Sequence, residues 1–546
     1  MKRKNNILAG AIFMMMLVLA ACEKTPEEEV IPLPELPTIR ALSESVALYS
    51  GGEAYADFLI SPFETKFNYD VRSDACAISI VNGLGQNVTE FVISKIEPLS
   101  NDPSDKGKYR IFLRDDMKKT AYEMLCKVSF KDSYGRSTTT GGFMVRCQYD
   151  KETQKYLDTG LKLLIIDTEG GEEPTCEYVS HPEGCNGAGI RNATKVPGSM
   201  VMLKGSNILY STGPYKKDES GLTIKIRGNT SAYGAKKPYK IKLQKKKDLL
   251  FRNEEKLYKD KEWLLLRYDD LRIVAGSTVN KLMGIQWTPA YEYVNLILNG
   301  DYKGLYILCE SVKRNEDCRL NVSETGYILE YDAYWWNEDV HFTGGWNYSM
   351  EYTFKYPDSE EVTAAQIKYI RDYITKVEAS VRNGTYDQYI DVMSFARWLL
   401  AHDVLGILDC AGSNYYLTKY DNTSSSKLMM ANLWDFDSIY NMKDNWSNTH
   451  MWGANYFPTL LQSFNHTFKD TYIALWESHA DICKTASNYM KGFISTEEGK
   501  GVNASIPYES KRWHSTHPTV ETAVNTSMEW FKSRGSWLNS AISGLK

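Results

Sequence analysis

The 546-residue chain has no CxxC pair, no HExxH among its 8 His, no G-x-S-x-G elbow and no G-x-G-x-x-G loop. These absences remove paired-cysteine zinc modules, helix-borne metalloprotease sites, serine hydrolases of the elbow type and the ordinary nucleotide-covering glycine loop. Charge of one sign is also lacking: 64 Lys+Arg against 69 Asp+Glu leave a formal charge of -5, with no basic excess to attract nucleic acid. What is present is globular. A hydrophobic fraction of 43% and a charged fraction of 24% exclude disorder and coiled coil, and 37 Tyr with 13 Trp lean towards β-rich structure. The length suits two to four domains at roughly 100–200 residues each.

Near the start, Lys2, Arg3 and Lys4 precede an apolar run from Ile7 to Leu19, too short for a permanent span of about 20 residues. Leu19-Ala20-Ala21-Cys22 follows and resembles a bacterial lipobox, which implies cleavage before Cys22 and lipid attachment to its thiol. Residues 1–21 are expected to be a lipoprotein signal peptide and 22–40 an acidic, Pro-spaced tether that can bury no core. The acidic run Glu23 to Glu29 resembles the surface-export signal of Bacteroidetes lipoproteins. An outer-membrane protein facing outward is the corresponding expectation.

Short alternating stretches separated by turn clusters such as Asn82-Gly83 and Asn101-Asp102-Pro103 fill residues 41–150 and predict an all-β, Ig-like sandwich. From about Leu161 the pattern changes. Strands are expected at Leu161–Asp167, Leu222–Ile226 and Tyr239–Leu243, with a hairpin of Val294–Leu298 and Leu305–Cys309 around Asn299-Gly300. Helical periodicity follows at Thr363–Val381, with Thr363 as N-cap, then at Val392–Leu405, Phe468–Met490 and Pro518–Ile542. Strands first and helices later predict an α+β domain with a cleft between a small sheet lobe and a helical lobe. Cys176 and Cys185 bracket a segment that suits either a stapled hairpin or two free thiols. Trp335, Trp336 and Trp346, with Tyr331, Tyr334 and Tyr348, form an aromatic insertion that suits core packing or stacking on a ligand; Trp446, Trp452, Tyr456 and Phe457, with His450, form a second.

Chemistry concentrates in two stretches, Asp409-Cys410-Ala411-Gly412-Ser413-Asn414 and Trp434-Asp435-Phe436-Asp437. Between them lie a strand-like run, Tyr415–Tyr420, a polar turn, Asp421–Ser426, and apolar Leu428–Met430, so the acids should meet at the open end of one hairpin. A carboxylate that orients a hydroxyl, an Asn five positions on that holds metal, and a further Asp on metal-bound phosphates are the parts phosphoryl transfer uses. Upstream, Arg227-Gly228-Asn229-Thr230 and Lys236-Lys237-Pro238-Tyr239-Lys240 flank a Gly-containing loop whose N–H groups, Arg227 and Lys236 or Lys237 suit an anion, or else form a solvated basic edge.

These segments, with Val294 to Glu310 and Gly326 to Asp332, resemble the CotH (spore coat protein H-like) kinase family, over about residues 160–546. The resemblance implies an atypical, two-lobed protein-kinase-like domain that uses ATP with Mg2+ or Mn2+ to phosphorylate hydroxyl side chains of a protein. It implies Asp409 as the catalytic carboxylate, Asn414, Asp435 and Asp437 as metal ligands, and Arg227, Lys237, Lys240 and Glu310 at the nucleotide. No His-Arg precedes Asp409 and no Gly follows Phe436, so ordinary kinase regulation does not transfer. The rival expectation is a catalytically silent kinase-like surface module that binds glycan or protein.

Overall fold

The computed structural model describes residues 32–33, 35–36, 38–49, 53–61, 77–81, 93–114, 122–131, 136–139, 143–148 and 150–546, the last stretch without 186, 206, 253–256, 345–349, 408, 410–412, 441–447 and 452–465. Cys22, the leader, Trp346, Tyr348, Trp446, Trp452, Tyr456 and Phe457 lie outside the described residues. The chain divides into two compact units at Asp150/Lys151.

The first unit is β-rich. Strands β1 (Thr38–Ala41), β2 (Ser45–Tyr49), β3 (Glu53–Ser61), β4 (Ala77–Val81), β5 (Ile93–Pro98), β6 (Lys108–Arg114), β7 (Tyr122–Lys131), β8 (Ser137–Thr139) and β9 (Phe143–Gln148) form two sheets, ordered β1-β3-β6-β5 and β2-β9-β7-β4, with β8 on β7. Alternation in β3 buries Ala56, Phe58 and Ile60 on one face, opposite the exposed Tyr55.

The second unit is mixed α and β. After helix α1 (Lys151–Leu157) come β10 (Lys162–Thr168), β11 (Glu177–Ser180), β12 (Ala188–Arg191), β13 (Val196–Lys204), β14 (Asn207–Ser211), β15 (Leu222–Ile226), β16 (Tyr239–Lys247) and β17 (Asp260–Arg267). Helix α2 (Arg272–Leu282) and the hairpin β18 (Tyr291–Leu298) and β19 (Asp301–Glu310) follow. The expected small-lobe sheet is a closed barrel. Because β10 pairs in parallel with β18 and antiparallel with β13, the strands β10-β18-β19-β17-β16-β15-β13 join end to end, and β14 adds outside β13.

The barrel interior is filled by Leu164, Ile166, Met200, Ile224, Ile241, Trp263, Leu296 and Tyr306, among others. In the β18–β19 hairpin Val294, Leu296 and Leu308 belong to this core, while Tyr293, Leu305, Ile307 and Cys309 belong to the core under the helices. Both faces are covered, which is why the hairpin reads as almost continuously apolar. Asn299 and Gly300, both at positive φ, make its turn as expected.

A second sheet, ordered β21-β22-β20-β23-β24, comprises β20 (Tyr327–Asp332), β21 (His341–Phe342), β22 (Glu351–Tyr356), β23 (Tyr416–Lys419) and β24 (Leu428–Met430). Between β22 and β23 stand α3 (Ala364–Asn383), started by a Thr363–Gln366 capping box, and α4 (Val392–Leu405), capped by Asp391. The single helix expected at 468–490 is two, α5 (His466–Ser478) and α6 (Ile482–Phe493). Then come α7 (Glu497–Trp513), which sequence reasoning missed, and α8 (Val520–Ser543).

Helix α7 explains a conspicuous lysine. Lys236, expected at an anion, is buried: its Nζ donates to Leu305 O at 2.6 Å and to Glu509 Oε1 at 2.5 Å, while Glu509 Oε2 accepts from Leu305 N at 2.8 Å. Gly304 leaves the room, since a Cβ there would stand 2.1 Å from Glu509 Oε2. The pair therefore ties the helix to the barrel. Replacing Glu509 by Ala strands a buried ammonium and should cost about 3–5 kcal/mol in urea unfolding, with much of the loss recovered in the Lys236→Met, Glu509→Met double variant.

Candidate functional site

The hairpin joining the two chemical stretches forms as expected, with Leu417 opposite Met430 and Ala431 N donating to Tyr416 O at 2.9 Å. Its closed end is held by Lys419, whose ammonium donates to the carbonyls of Asp421, Thr423 and Ser426. At the open end Ser413 and Asn414 both take φ of 60°. Two non-glycine residues in the left-handed region need external support. Strand β20 provides it: Glu330 Oε1 accepts Asn414 N at 3.0 Å, Tyr331 O accepts Ser413 N at 2.7 Å, and Asp332 Oδ1 accepts Ser413 Oγ at 2.7 Å. The other Glu330 oxygen pairs with Lys355 Nζ at 2.8 Å. Burial opposes that ammonium, but Glu330 and its neighbours outweigh the cost and hold it charged.

The acids then meet. Asp409 N donates to Ser438 Oγ at 3.3 Å, joining the first stretch to the second. Asp435 stands at φ 54°, and Phe436 behind it lies flat on α2, where a Cβ on Gly276 would be 2.1 Å from the ring. Arg272, also on α2, donates to Asp437 O at 2.8 Å. Burial first, and Asp437 second, raise the carboxyls of both Asp409 and Asp435, that of Asp435 to about 7. Asp409 adds to the repulsion on Asp435, and Arg227 and Arg267 oppose it. Both residues keep solvent-exposed surface. Among the described residues none of the three acids has an ion-pair partner within 4 Å.

Of the expected nucleotide contacts, only Arg227 lies within electrostatic range of Asp435. Arg267 joins it unannounced: it ends β17, and Gly234 leaves space for it, a Cβ there standing 3.0 Å from its Nη1. The expectation for Lys237 needs correcting. Its ammonium binds Tyr178 Oη and, at 2.7 Å, Ala232 O, fixing the loop Thr230–Tyr233 to the β11–β12 hairpin. Lys240 pairs with Glu262 at 2.8 Å. Glu310 is 1% exposed, with one oxygen on Arg252 and the other on Ala290 N, both at 3.0 Å, so it serves the barrel and not a ligand.

Tyr331 and Trp336 are buried, in line with core packing, and Tyr334 Oη meets Thr230 Oγ1 at 2.8 Å. His450 is held by the buried Asp403 at 2.9 Å rather than offered to an acceptor. Cys176 and Cys185 are free thiols on either side of the β11 strand and turn. Glu330, Asp332 and Lys355 were missed as a unit, although the first two stand two apart on one strand face, a spacing that could have flagged them.

Among the described residues no three His, Cys, Asp or Glu side chains converge on one metal-sized point. Cavities of about 350 and 290 Å³ lie elsewhere, the first beside the closed end of the hairpin. Asp435, Asp437 and Asn414, the metal ligands the resemblance implies, carry oxygen donors of the kind a magnesium-type cation takes, one or two carboxylates with phosphate and water completing the shell. Among the described residues no helix is long and apolar enough to cross a membrane.

The CotH kinase protein family matches residues 224–538, more than half of the chain, and the protein belongs to that family. Membership brings a kinase-like activity and the use of ATP as the family's expectation for this domain. No curated protein matches. Among solved structures, the C-terminal domain of the Streptococcus agalactiae AgI/II polypeptide BspA is 11% identical, the match covering 30% of this chain and 60% of that one, with a TM-score of 0.11. Bovine butyrophilin is 11% identical over 38% of this chain and 92% of its own, TM-score 0.15. The Bacillus cereus major pilin subunit BcpA is 11% identical over 35% and 64%, TM-score 0.12.

The Asp332 clamp has a pH consequence. Burial, then Glu330, raise its carboxyl from 3.8 to about 6. The folded state thus binds a proton that the unfolded chain releases. This contribution to stability is complete below about pH 4 and lost as pH rises through about 6. Asp332→Asn keeps the acceptor oxygen and drops the titration, so its melting temperature should decline less than that of wild type between about pH 4.5 and 7.

Proposed function

We propose that the second unit is a metal- and ATP-dependent phosphotransferase acting on a hydroxyl acceptor, in the manner of a two-lobed atypical kinase. The observation that carries this reading is the meeting of Asp409, Asp435 and Asp437 at one hairpin end, with Arg227 and Arg267 opposing the repulsion on Asp435. Asp409 orients the acceptor hydroxyl and takes its proton, a role its raised carboxyl suits. The hydroxyl oxygen bonds to the terminal phosphorus as the bond to the bridging oxygen breaks, and the nucleoside diphosphate leaves. Asp435, Asp437 and Asn414 would hold a divalent cation, Mg2+ or Mn2+, which when bound neutralises the phosphate oxygens and relieves the repulsion among the acids. Arg227 and Arg267 steady the charge that develops on the leaving oxygens.

In the same reading the chain is anchored in the bacterial outer membrane through lipid on Cys22, at the cell surface, with residues 41–150 as an Ig-like spacer and an unidentified protein as acceptor. ATP is scarce outside a cell, and Lys237 and Glu310 are engaged within the fold; these two points favour the rival, a silent module that binds glycan or protein.

Thermal shift separates the two. ATP with manganese should raise the melting temperature of the wild type, and Asp435→Ala should abolish the rise. Asp409→Ala should keep the shift and lose radiolabel transfer by about 10²–10⁴-fold. Absence of any shift in the wild type with nucleotide and either metal sinks the transferase.

A further inference from the structure

Two arginines that act on the Asp435–Asp437 stretch lie close together in the sequence. Arg267, at the end of β17, opposes the repulsion on Asp435, and Arg272, at the start of α2, donates to Asp437 O at 2.8 Å. Residues 268–271 join them, and there the backbone bends at a cost: Asp270 and Leu271 take φ of 53° and 68°. Consecutive non-glycine residues in the left-handed region are kept only where neighbours hold them.

Each residue of this elbow is tied to a different element. Asp269 Oδ2 accepts Ile273 N at 2.6 Å, a carboxylate at the N-terminus of α2, and its other oxygen accepts from Tyr293 Oη of β18 at 3.3 Å. Asp270 Oδ1 accepts from His517 Nδ1 at 2.8 Å, in the connection between α7 and α8, and Ser515 Oγ lies 3.0 Å from Nε2 of the same ring. Leu271 is sunk in the core under the helices. Tyr268 braces the histidine edge to ring, with centroids 5.2 Å apart. Glycine takes a positive φ at no steric cost, so a linker with no other task would be served best by glycine at position 270. An aspartate stands there instead, and its side chain is what reaches His517.

We propose that Asp270 and His517 are positioning residues: their contact locks the 269–271 elbow and so fixes Arg272, and with it the Phe436–Asp437 segment seated on α2, relative to Arg267. The role serves the transferase reading above, and rests on it for its purpose, but the geometry it controls exists without a ligand.

The test compares Asp270→Gly with Asp270→Asn in the whole chain. Glycine accepts the φ and breaks the contact with His517; asparagine tolerates the φ and keeps an acceptor oxygen for the ring N–H. Hydrogen exchange of the ligand-free protein, followed by mass spectrometry, reads the geometry. In Asp270→Gly the amides of residues 434–438 and of the first turn of α2 should exchange at least about fivefold faster, while β16, β19 and α8 exchange as in wild type; Asp270→Asn should match wild type throughout. Because glycine relieves strain, the melting temperature of Asp270→Gly should stay within about 3 °C of wild type. In radiolabel transfer from ATP with manganese, Asp270→Gly should lower kcat by about 10–100-fold and leave the KM for ATP within about twofold, as a misplaced group does and a lost contact does not. If the Asp270 variants do not fold, His517→Asn, which returns an N–H donor, should exchange more slowly at 434–438 than His517→Ala. Wild-type exchange at 434–438 in Asp270→Gly, or in both His517 variants, overturns the positioning role, and so does uniform acceleration over the whole chain, the result of a contact that serves overall stability alone. The local exchange difference without any transfer by the wild type leaves the role standing and removes the transferase. Transfer by Asp270→Gly at the wild-type kcat does the reverse.

Discussion

A single carboxylate, that of Glu330, holds the candidate site in shape. Its two oxygens are divided between the Lys355 ammonium and the Asn414 amide, and the residue is 7% exposed. A buried charge of this kind is tolerated only when it is fully paired. Here the pairing fixes two left-handed residues, Ser413 and Asn414, against β20. The segment bearing Asp409 arrives at this turn from one side, and the hairpin leading to Asp435 departs from the other. Asp332, two residues on, makes a second clamp through Ser413. The two acids of β20 thus act by fixing backbone position, and each of their oxygens is already engaged within the fold.

Electrostatically the site is unfavourable. Three carboxylates crowd one hairpin end, where Asp437 and Asp409 raise the Asp435 carboxyl and Arg227 and Arg267 oppose them, and among the described residues none of the three acids has an ion-pair partner within 4 Å. Such arrangements persist where surrounding structure over-determines them, as Phe436 on Gly276 and Arg272 on the Asp437 carbonyl do here. A cation among these acids would relieve their mutual repulsion. Positioning of this sort, prepared before any ligand arrives, is what a loose phosphoryl-transfer transition state requires of a protein.

Much of the fold could be read in advance where local chemistry is strong. The Asn299-Gly300 turn, the Thr363 capping box and the alternation of β15 and β16 each encode their structure within a few residues. Helix α7 was illegible for a physical reason. Gly501 is needed because a Cβ would stand 2.6 Å from Leu161, Gly499 because one would meet Phe493 O at 2.1 Å, and Pro507 interrupts the pattern again. Close packing had replaced the residues that signal a helix. The same limit applied to the lysines: composition shows that Lys236, Lys237 and Lys240 are cations, but not that each already has a partner, which depends on Glu509, Tyr178 and Glu262 from distant segments. The pairing of β10 with β13, which closes the barrel, is likewise a long-range fact with no local mark.

That closure has a mechanical corollary. An open sheet can bend and splay about its twist, so a lobe built on one can breathe; a cylinder of strands bonded on every side resists such deformation. Arg267 ends a strand of this stiff drum, and Asp435 follows the other sheet's hairpin. What registers the one against the other is the contact of Phe436 with Gly276, where no methyl group could be added without displacing the ring.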